Sequence, residues 1–172
     1  MNLYNYALIG IISSVLVSCG GSDQVPVGST LVAFPNQVDW QIGESDSCDV
    51  INGPFNDTQV NLSLADAEGR AIVDTNVDIS LDLSEGSFNG PELLSLFFDQ
   101  DGNGNFSEDE RVLSADGPVF TTRTDGDNGV IRVLVRVNLS CPFRGSLFAF
   151  AGSAVTSVSF NVSESAEGSD FQ

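Results

Sequence analysis

Oxygen-bearing side chains recur at a regular spacing in the segment that runs from Asp99 to Glu110. Its first, third and fifth positions carry carboxylate or amide groups, the sixth is glycine, the ninth is serine and the twelfth is glutamate. Calcium takes six to eight oxygen ligands, and a chain that coils around the ion presents alternate side chains to it. The segment is therefore predicted to bind one calcium ion. The predicted ligands are Asp99, Asp101, Asn103, Asn105 (through its backbone carbonyl), Ser107 and Glu110.

This spacing matches the whole pattern of an EF-hand loop, including an apolar residue, Phe106, at the eighth position. The alternative is an ordinary acidic, Asn/Gly-rich surface turn. Three formal negative charges and no second loop predict weak binding, with a dissociation constant of roughly 10⁻⁴–10⁻³ M. We therefore expect calcium to brace the structure in a calcium-rich medium. The flanking residues favour a strand or extended segment before the loop and a short helix after it.

Apolar and polar residues alternate along most of the remaining chain, which is the pattern of half-buried strands. The clearest run is 131–139, whose opposite face carries Arg132 and Arg136. Similar runs occur at 38–42, 60–64, 77–83 and 158–162, and turn residues separate them. Segment 145–152 is apolar on both faces, which is typical of a central strand. About seven to nine such strands predict an all-β domain, a β-sandwich with room for one short helix.

Several of these stretches resemble the bacterial Ig-like repeats of invasin and intimin type. They are Val60-Asn-Leu-Ser-Leu-Ala-Asp-Ala-Glu-Gly-Arg-Ala-Ile-Val, Val77-Asp-Ile-Ser-Leu-Asp-Leu-Ser-Glu-Gly-Ser-Phe, Thr124-Asp-Gly-Asp-Asn-Gly-Val-Ile-Arg-Val and Ser146-Leu-Phe-Ala-Phe-Ala. The resemblance covers about residues 55–162 and implies an Ig-like β-sandwich. The chain departs from the family in having a single copy and an insertion at about residues 90–118, which contains the calcium loop at 99–110.

The start of the chain has the features of an export signal. The apolar run 7–17 has the length of a signal-peptide core and is too short to span a membrane. Leu16-Val17-Ser18-Cys19 resembles the lipobox of bacterial lipoproteins, which implies cleavage after residue 18 and lipidation of Cys19. The alternatives are an ordinary secretory signal with a chance cysteine, or a buried N-terminal strand.

These features predict the organisation of the whole chain. Residues 1–18 form the signal peptide, 19–29 a flexible tether, 30–162 the sandwich and 163–172 a disordered acidic tail. Gly20-Gly21-Ser22 contains no early aspartate, which resembles the sorting pattern of outer-membrane lipoproteins if the cell is Gram-negative. We therefore expect a lipid-anchored protein of the cell envelope, with the membrane as one partner.

The remaining cysteines, Cys48 and Cys141, are predicted to form a disulfide, because an exported chain meets an oxidising compartment. Two free buried thiols are the alternative. The formal net charge of −18 argues against nucleic acid and anionic lipid headgroups as partners. The sequence contains neither histidine nor lysine, which excludes Ser–His–Asp catalysis, histidine-ligated zinc and lysine Schiff bases.

The sequence thus predicts a non-enzymatic, membrane-anchored Ig-like module, stabilised by calcium, for adhesion or contact with another envelope or surface protein. One alternative is calcium-assisted binding of a carbohydrate or small ligand, which exposed aromatic rings at Phe88, Phe97 or Phe98 would favour; the other interpretation of these three residues is that they belong to the core. A second alternative is a structural subunit of an envelope assembly.

Overall fold

Residues 25–43, 53–86, 93–99, 106–115 and 117–165 are described by a computed structural model of the chain. They form ten strands and one turn of 3₁₀ helix at Glu108–Glu110. The strands are β1 (Thr30–Phe34), β2 (Gln37–Ile42), β3 (Phe55–Ala65), β4 (Asn76–Gly86), β5 (Leu94–Phe97), β6 (Arg111–Ser114), β7 (Phe120–Arg123), β8 (Val130–Asn138), β9 (Phe143–Ala151) and β10 (Ala154–Glu164).

The strands form two five-stranded sheets. Sheet A has the order β1-β3-β8-β5-β6, and sheet B has the order β2-β10-β9-β4-β7. Neighbouring strands are antiparallel except β2 and β10, which are parallel. Buried side chains from both sheets form one hydrophobic core. The architecture is an Ig-like β-sandwich, which confirms the predicted fold class.

The core is built by the alternation seen in the sequence. In β8, the four apolar residues at alternate positions from Ile131 to Val137 are at most 2% exposed, while Arg132 lies on the opposite face. The predicted central strand is β9, which lies between β10 and β4. Burying such side chains stabilises a fold by roughly 1.5–3 kcal/mol each, and a one-residue slip would turn them outward.

The insertion contributes two strands to the sandwich. β5 lies between β8 and β6 in sheet A, and all four of its residues are buried. The first part of the insertion is therefore part of the core, and only the segment between β5 and β6 is left to form the predicted calcium loop. The strand before this loop and the short 3₁₀ helix after it agree with the expected flanks.

Both ends of the sandwich extend beyond the predicted boundaries. β10 continues through Glu164, which pairs with Ile42 of β2, two residues past the predicted end of the sandwich at residue 162. At the other end, Val25 lies so close to the β9–β10 turn that a Cβ added at Gly152 would be 3.0 Å from its own Cβ. The last residues assigned to the tether therefore pack against the domain.

One end of the sandwich collects the start of the chain and three turns. β1 begins opposite the end of β3, where Thr30 pairs with Ala65, and β8 begins beside the same end, where Val130 pairs with Ser63. The β3–β4, β7–β8 and β9–β10 turns lie here too, beside residues 25–29. We call this the tether end.

Candidate calcium loop and adjoining cleft

The two ends of the predicted calcium loop are held together by the backbone. The N–H of Phe98 donates to the C=O of Glu110 at 3.1 Å, just beyond the last β5–β6 pair, Phe97 with Arg111. The first predicted ligand, Asp99, follows this bond directly, so the pairing brings it beside the twelfth, Glu110. Ser107 also lies among the described residues. The other predicted ligands, Asp101, Asn103 and Asn105, lie outside the described residues.

The carboxylate of Glu110 is held in a defined position. Its Oε2 accepts hydrogen bonds from the N–H of Ser107 at 2.9 Å and from the Ser107 hydroxyl at 3.3 Å. This is the side-chain half of a capping box, in which a glutamate at the third helical position reaches back to the residue before the helix. Glu110 is only 8% exposed. A buried and oriented carboxylate at the closing position suits a calcium ligand.

The loop exit is fixed to sheet A by Arg136, on the outer face of β8. Its guanidinium makes two hydrogen bonds to Asp57 of β3, from Nε at 2.8 Å and Nη2 at 2.9 Å, and a third to Glu108 of the 3₁₀ helix. Its Cζ also lies 4.7 Å from the ring centroid of Phe97. Glu108 in turn accepts from Arg111. These contacts fix the position from which Glu110 would reach the ion.

The charges of this cluster reinforce one another. The hydrogen bond to Asp57 is the main cause of the raised pKa of Arg136. The hydrogen bond from Arg111 is the main cause of the lowered pKa of Glu108. In the sequence, Arg136 falls on the polar face of an alternating strand, and no local pattern gives it a role. Nothing in the sequence pairs it with Asp57, which lies 79 residues away.

A cleft of about 500 Å³ opens beside the loop. It lies toward the tether end, where β8 extends past the end of β5. Its lining combines aromatic rings, arginines, carboxyl groups and an amide. The lining residues are Gln59, Phe98, Asp99, Phe106, Arg123, Asp125, Val130, Ile131 and Arg132. The sequence did not reveal this cleft, because its residues come from separate stretches of the chain.

The aromatic residues considered for ligand binding have different positions. Phe97 is fully buried in sheet A, so its suggested role as an exposed ring is wrong. Phe98 is half-buried, packs against Phe120 with ring centroids 5.5 Å apart, and lines the cleft. Phe88 lies outside the described residues.

Cys141 is buried and disulfide-bonded. Its predicted partner, Cys48, lies outside the described residues, so the pairing of Cys48 with Cys141 stays a prediction. Cys19 also lies outside them, as does the whole predicted signal peptide. In the described segments between residues 25 and 165, no helix has the length and apolar character needed to span a membrane.

No group of three or more His, Cys, Asp or Glu side chains among the described residues is arranged to hold a metal ion. The predicted calcium site is not addressed by this result, because three of its six ligands lie beyond the described residues and a fourth, Ser107, is a serine. Calcium binding therefore stays a prediction, for which Asp99, Ser107 and Glu110 are suitably placed.

No family model matches the chain, and no curated protein matches it. Among solved structures, a conjugative transposon lipoprotein from Bacteroides eggerthii is 12% identical with a TM-score of 0.41, over 78% of this chain and 98% of that one. The PapD-like domain 7 of human CEP192 is 10% identical with a TM-score of 0.39, over 88% and 97%. The CfaE adhesin of enterotoxigenic E. coli is 8% identical with a TM-score of 0.41, over 81% and 49%. At these values the similarities carry no argument about function, and the chain's own sheet topology defines its fold.

Proposed function

We propose that the chain is a non-enzymatic contact module of the bacterial cell envelope, anchored by lipid on Cys19 and braced by calcium. The observation that carries the contact role is an apolar patch on the outer face of sheet B. Phe150 and Val155 lie opposite each other on β9 and β10 and are 39% and 56% exposed. The ring of Phe148 stacks on that of Phe150, with centroids 6.4 Å apart. Adjoining exposed apolar side chains on a soluble domain are typical of protein interaction sites.

The brace is supported by the way the loop ends are held. The Phe98–Glu110 backbone bond closes the loop, Ser107 orients the Glu110 carboxylate, and Arg136 ties the exit to β3. Such preorganisation lowers the cost of ordering ligands around an ion. A weakly bound calcium ion would then stabilise the edge of sheet A that β5 and β6 form.

The non-enzymatic assignment is supported by the composition. A chain without histidine and lysine lacks the usual general base and amine nucleophile. The described carboxylates with a lowered pKa, Asp66 and Glu108, are each engaged by an arginine. These pairs are structural, since each arginine holds the carboxylate in its charged form.

Thermal melting tests the calcium brace. With a dissociation constant of 10⁻⁴–10⁻³ M, 10 mM calcium should stabilise the fold by about 1.4–2.7 kcal/mol. This corresponds to a rise in Tm of about 3–10 °C over the protein in EDTA. Asp99→Asn and Glu110→Gln should abolish the rise. Asp127→Asn, which removes an exposed carboxylate outside the loop, should retain it. An equal Tm in calcium and EDTA, with wild-type behaviour of both loop variants, would disprove the brace.

Photo-crosslinking in the native host tests the contact role. A photoreactive phenylalanine analogue at position 150 or 155 should give a discrete crosslinked species. The same analogue at Gln41, exposed on β2 where it pairs with Ser163, should give none. Phe148→Ser, combined with the analogue at 155, should weaken the crosslink because it removes part of the patch. Equal crosslinking at 150, 155 and 41, or none at all, would contradict a contact role for this patch.

A further inference from the structure

The cleft beside the calcium loop contains an open stretch of sheet edge. The N–H of Asn138 donates to the C=O of Leu93, so the even-numbered residues of β8 direct their backbone groups toward β5. β5 ends at Phe97, opposite Leu134. Arg132 is the next even-numbered residue of β8 after Leu134, and β5 no longer runs beside it. Its N–H and C=O therefore face the cleft, without a hydrogen-bond partner in the described part of the chain.

The side chain of Arg132 is also without a partner among the described residues. All six arginines of the protein lie in described segments, and each of the other five makes a hydrogen bond or ion pair there. Arg132 makes none with any described residue, although the chain has a formal net charge of −18. An exposed guanidinium offers planar, bidentate recognition of a carboxylate.

The other polar groups of the cleft further restrict the chemical class of ligand that would fit it. The lining contains two arginines and two aspartates, so its formal charges cancel and a bare anion gains little from the cleft. Asp99 and Asp125 accept hydrogen bonds, as does the Arg132 carbonyl, whereas Gln59 and the arginines donate them. A ligand with one carboxylate and several hydroxyl groups would bond to both the acceptors and the donors of the cleft. The half-buried rings of Phe98 and Phe106 offer flat apolar surfaces, and about 500 Å³ is enough for two sugar rings.

We propose that this cleft binds an acidic saccharide, with the carboxylate of a uronic acid on the Arg132 guanidinium and a sugar ring against Phe98 or Phe106. The site rests on the proposed function in one respect, since Asp99 and Phe106 belong both to the cleft and to the calcium loop. Calcium bound at Asp99 neutralises a carboxylate that would repel the ligand. The acidic saccharide therefore binds more tightly to the calcium-loaded protein.

Two disaccharides that differ in a single group test the proposal. Cellobiouronic acid carries a carboxylate where cellobiose carries a hydroxymethyl group. Each is titrated in millimolar calcium into ¹⁵N-labelled protein that begins at Gly20 and contains every described strand. We expect shifts at the backbone amides of Phe98, Phe106 and Arg132, and binding about tenfold tighter for the acidic sugar. Arg132→Gln should remove this preference, while Arg144→Gln on sheet B should retain it.

Equal affinities for the two disaccharides, no shifts at these amides, or an unchanged preference in Arg132→Gln would overturn the proposal. N-acetyltriglycine serves as a third probe, and its binding as tightly as cellobiouronic acid would show a peptide site and overturn the saccharide assignment. Because Arg132 has no described partner, its substitution should leave the Tm unchanged. Failure of the calcium brace would appear in melts without sugar, whereas failure of the saccharide site would leave those melts as expected.

Discussion

Arg136 shows how much a single side chain contributes in a protein with few cations. It joins Asp57 of β3, Glu108 of the 3₁₀ helix and the buried ring of Phe97. Its side chain is 23% exposed, so these charge-assisted hydrogen bonds are screened less than those of a fully exposed pair. The outer face of Phe97 is thereby covered by a cation instead of by another strand. Arg136 thus explains why Phe97, which points away from the core, is fully buried.

Asp66 makes a second set of local hydrogen bonds, in the β3–β4 turn. Its Oδ1 accepts from the N–H groups of Glu68 and Arg70, and its Oδ2 accepts from the Arg70 guanidinium at 2.8 Å. The backbone bond from Arg70 is the main cause of its lowered pKa. Because the folded pKa lies below the unfolded one, the carboxylate stabilises the turn at neutral pH. That stabilisation is lost as the pH falls through the folded value.

We predict that Asp66 titrates below its ordinary pKa of 3.8. Arg70→Gln should raise the pKa toward that value without reaching it, because the backbone donors remain. Carboxyl ¹³C shifts followed through an acid titration measure both effects. Arg144→Gln, which removes a cation elsewhere, should leave the Asp66 titration unchanged. A pKa at or above 3.8 in the wild type, or no change in Arg70→Gln, would refute the assigned cause.

Strands in which apolar and polar residues alternate were predicted well, because burial of one face of the strand imposes that alternation. β3, β4, β8 and β10 all follow it. β5 did not show this alternation, because its four residues are buried on both faces, and periodicity alone does not separate so short an apolar run from a buried helix segment. β6 and β7 are edge strands of four residues each, too short for a periodic signal. These short elements owe their structure to long-range pairing.

The predicted calcium loop and the cleft also differ in how far the sequence alone predicts them. The six predicted calcium ligands are close together in the sequence, so a local pattern was enough to propose them. The cleft depends on where β5 ends relative to β8, and this register is set by tertiary pairing. No local pattern could have joined Gln59 to Phe98 and Arg132. Their convergence follows only from the strand order of sheet A.

The β7–β8 turn requires glycine at position 129. Gly129 has φ of +66°, which side chains with a Cβ rarely adopt, and an added Cβ would lie 2.7 Å from the Ile72 carbonyl oxygen and 3.0 Å from that of Leu64. The backbone there also bonds to β3, since the N–H of Leu64 donates to the Gly129 carbonyl at 3.0 Å. An alanine would have to displace backbone on two sides.

Gly129→Ala is therefore expected to lower the free energy of unfolding by about 1–3 kcal/mol or more. Urea denaturation measures this. Gly126→Ala in the same turn is the matched control, because its Cβ would lie 3.6 Å from Asp74 Oδ1 and its φ lies outside the left-handed region. It should change stability by less than about 0.5 kcal/mol. If Gly129→Ala changed the free energy of unfolding as little as Gly126→Ala is expected to, the turn would tolerate a side chain at position 129.

At the scale of the whole molecule, the tether end sets how the domain faces a membrane. Between Cys19 and Val25 the chain spans at most about 20 Å when fully extended. Val25 lies against the β9–β10 turn, so lipid on Cys19 would keep this end close to the bilayer. The cleft beside Arg132 lies toward the same end. Its proposed ligand would then be bound near the membrane surface, within reach of acidic glycans carried there.

The domain itself should contribute little to membrane attachment. The turns at the tether end carry exposed or half-exposed carboxylates at Asp66, Glu68, Asp125 and Asp127. Together with the net charge of −18, they repel anionic headgroups. We therefore predict that Cys19→Ser moves the protein from the membrane fraction to the soluble fraction of its host. The same change should abolish labelling with a fatty-acid analogue.

Cys48→Ser is the matched control for this prediction, because it removes a cysteine from the stretch 30–162 that the sequence predicts as the sandwich and leaves the proposed lipidation site intact. It should remain in the membrane fraction and keep the label, although loss of a disulfide is expected to lower its Tm. If the Cys19→Ser protein still sediments with membranes after a high-salt wash, lipid on Cys19 is not what attaches it. Attachment would then come from the apolar run 7–17, retained as an uncleaved signal, or from the protein contact proposed for the outer face of sheet B, because the net charge of −18 disfavours direct binding to anionic headgroups.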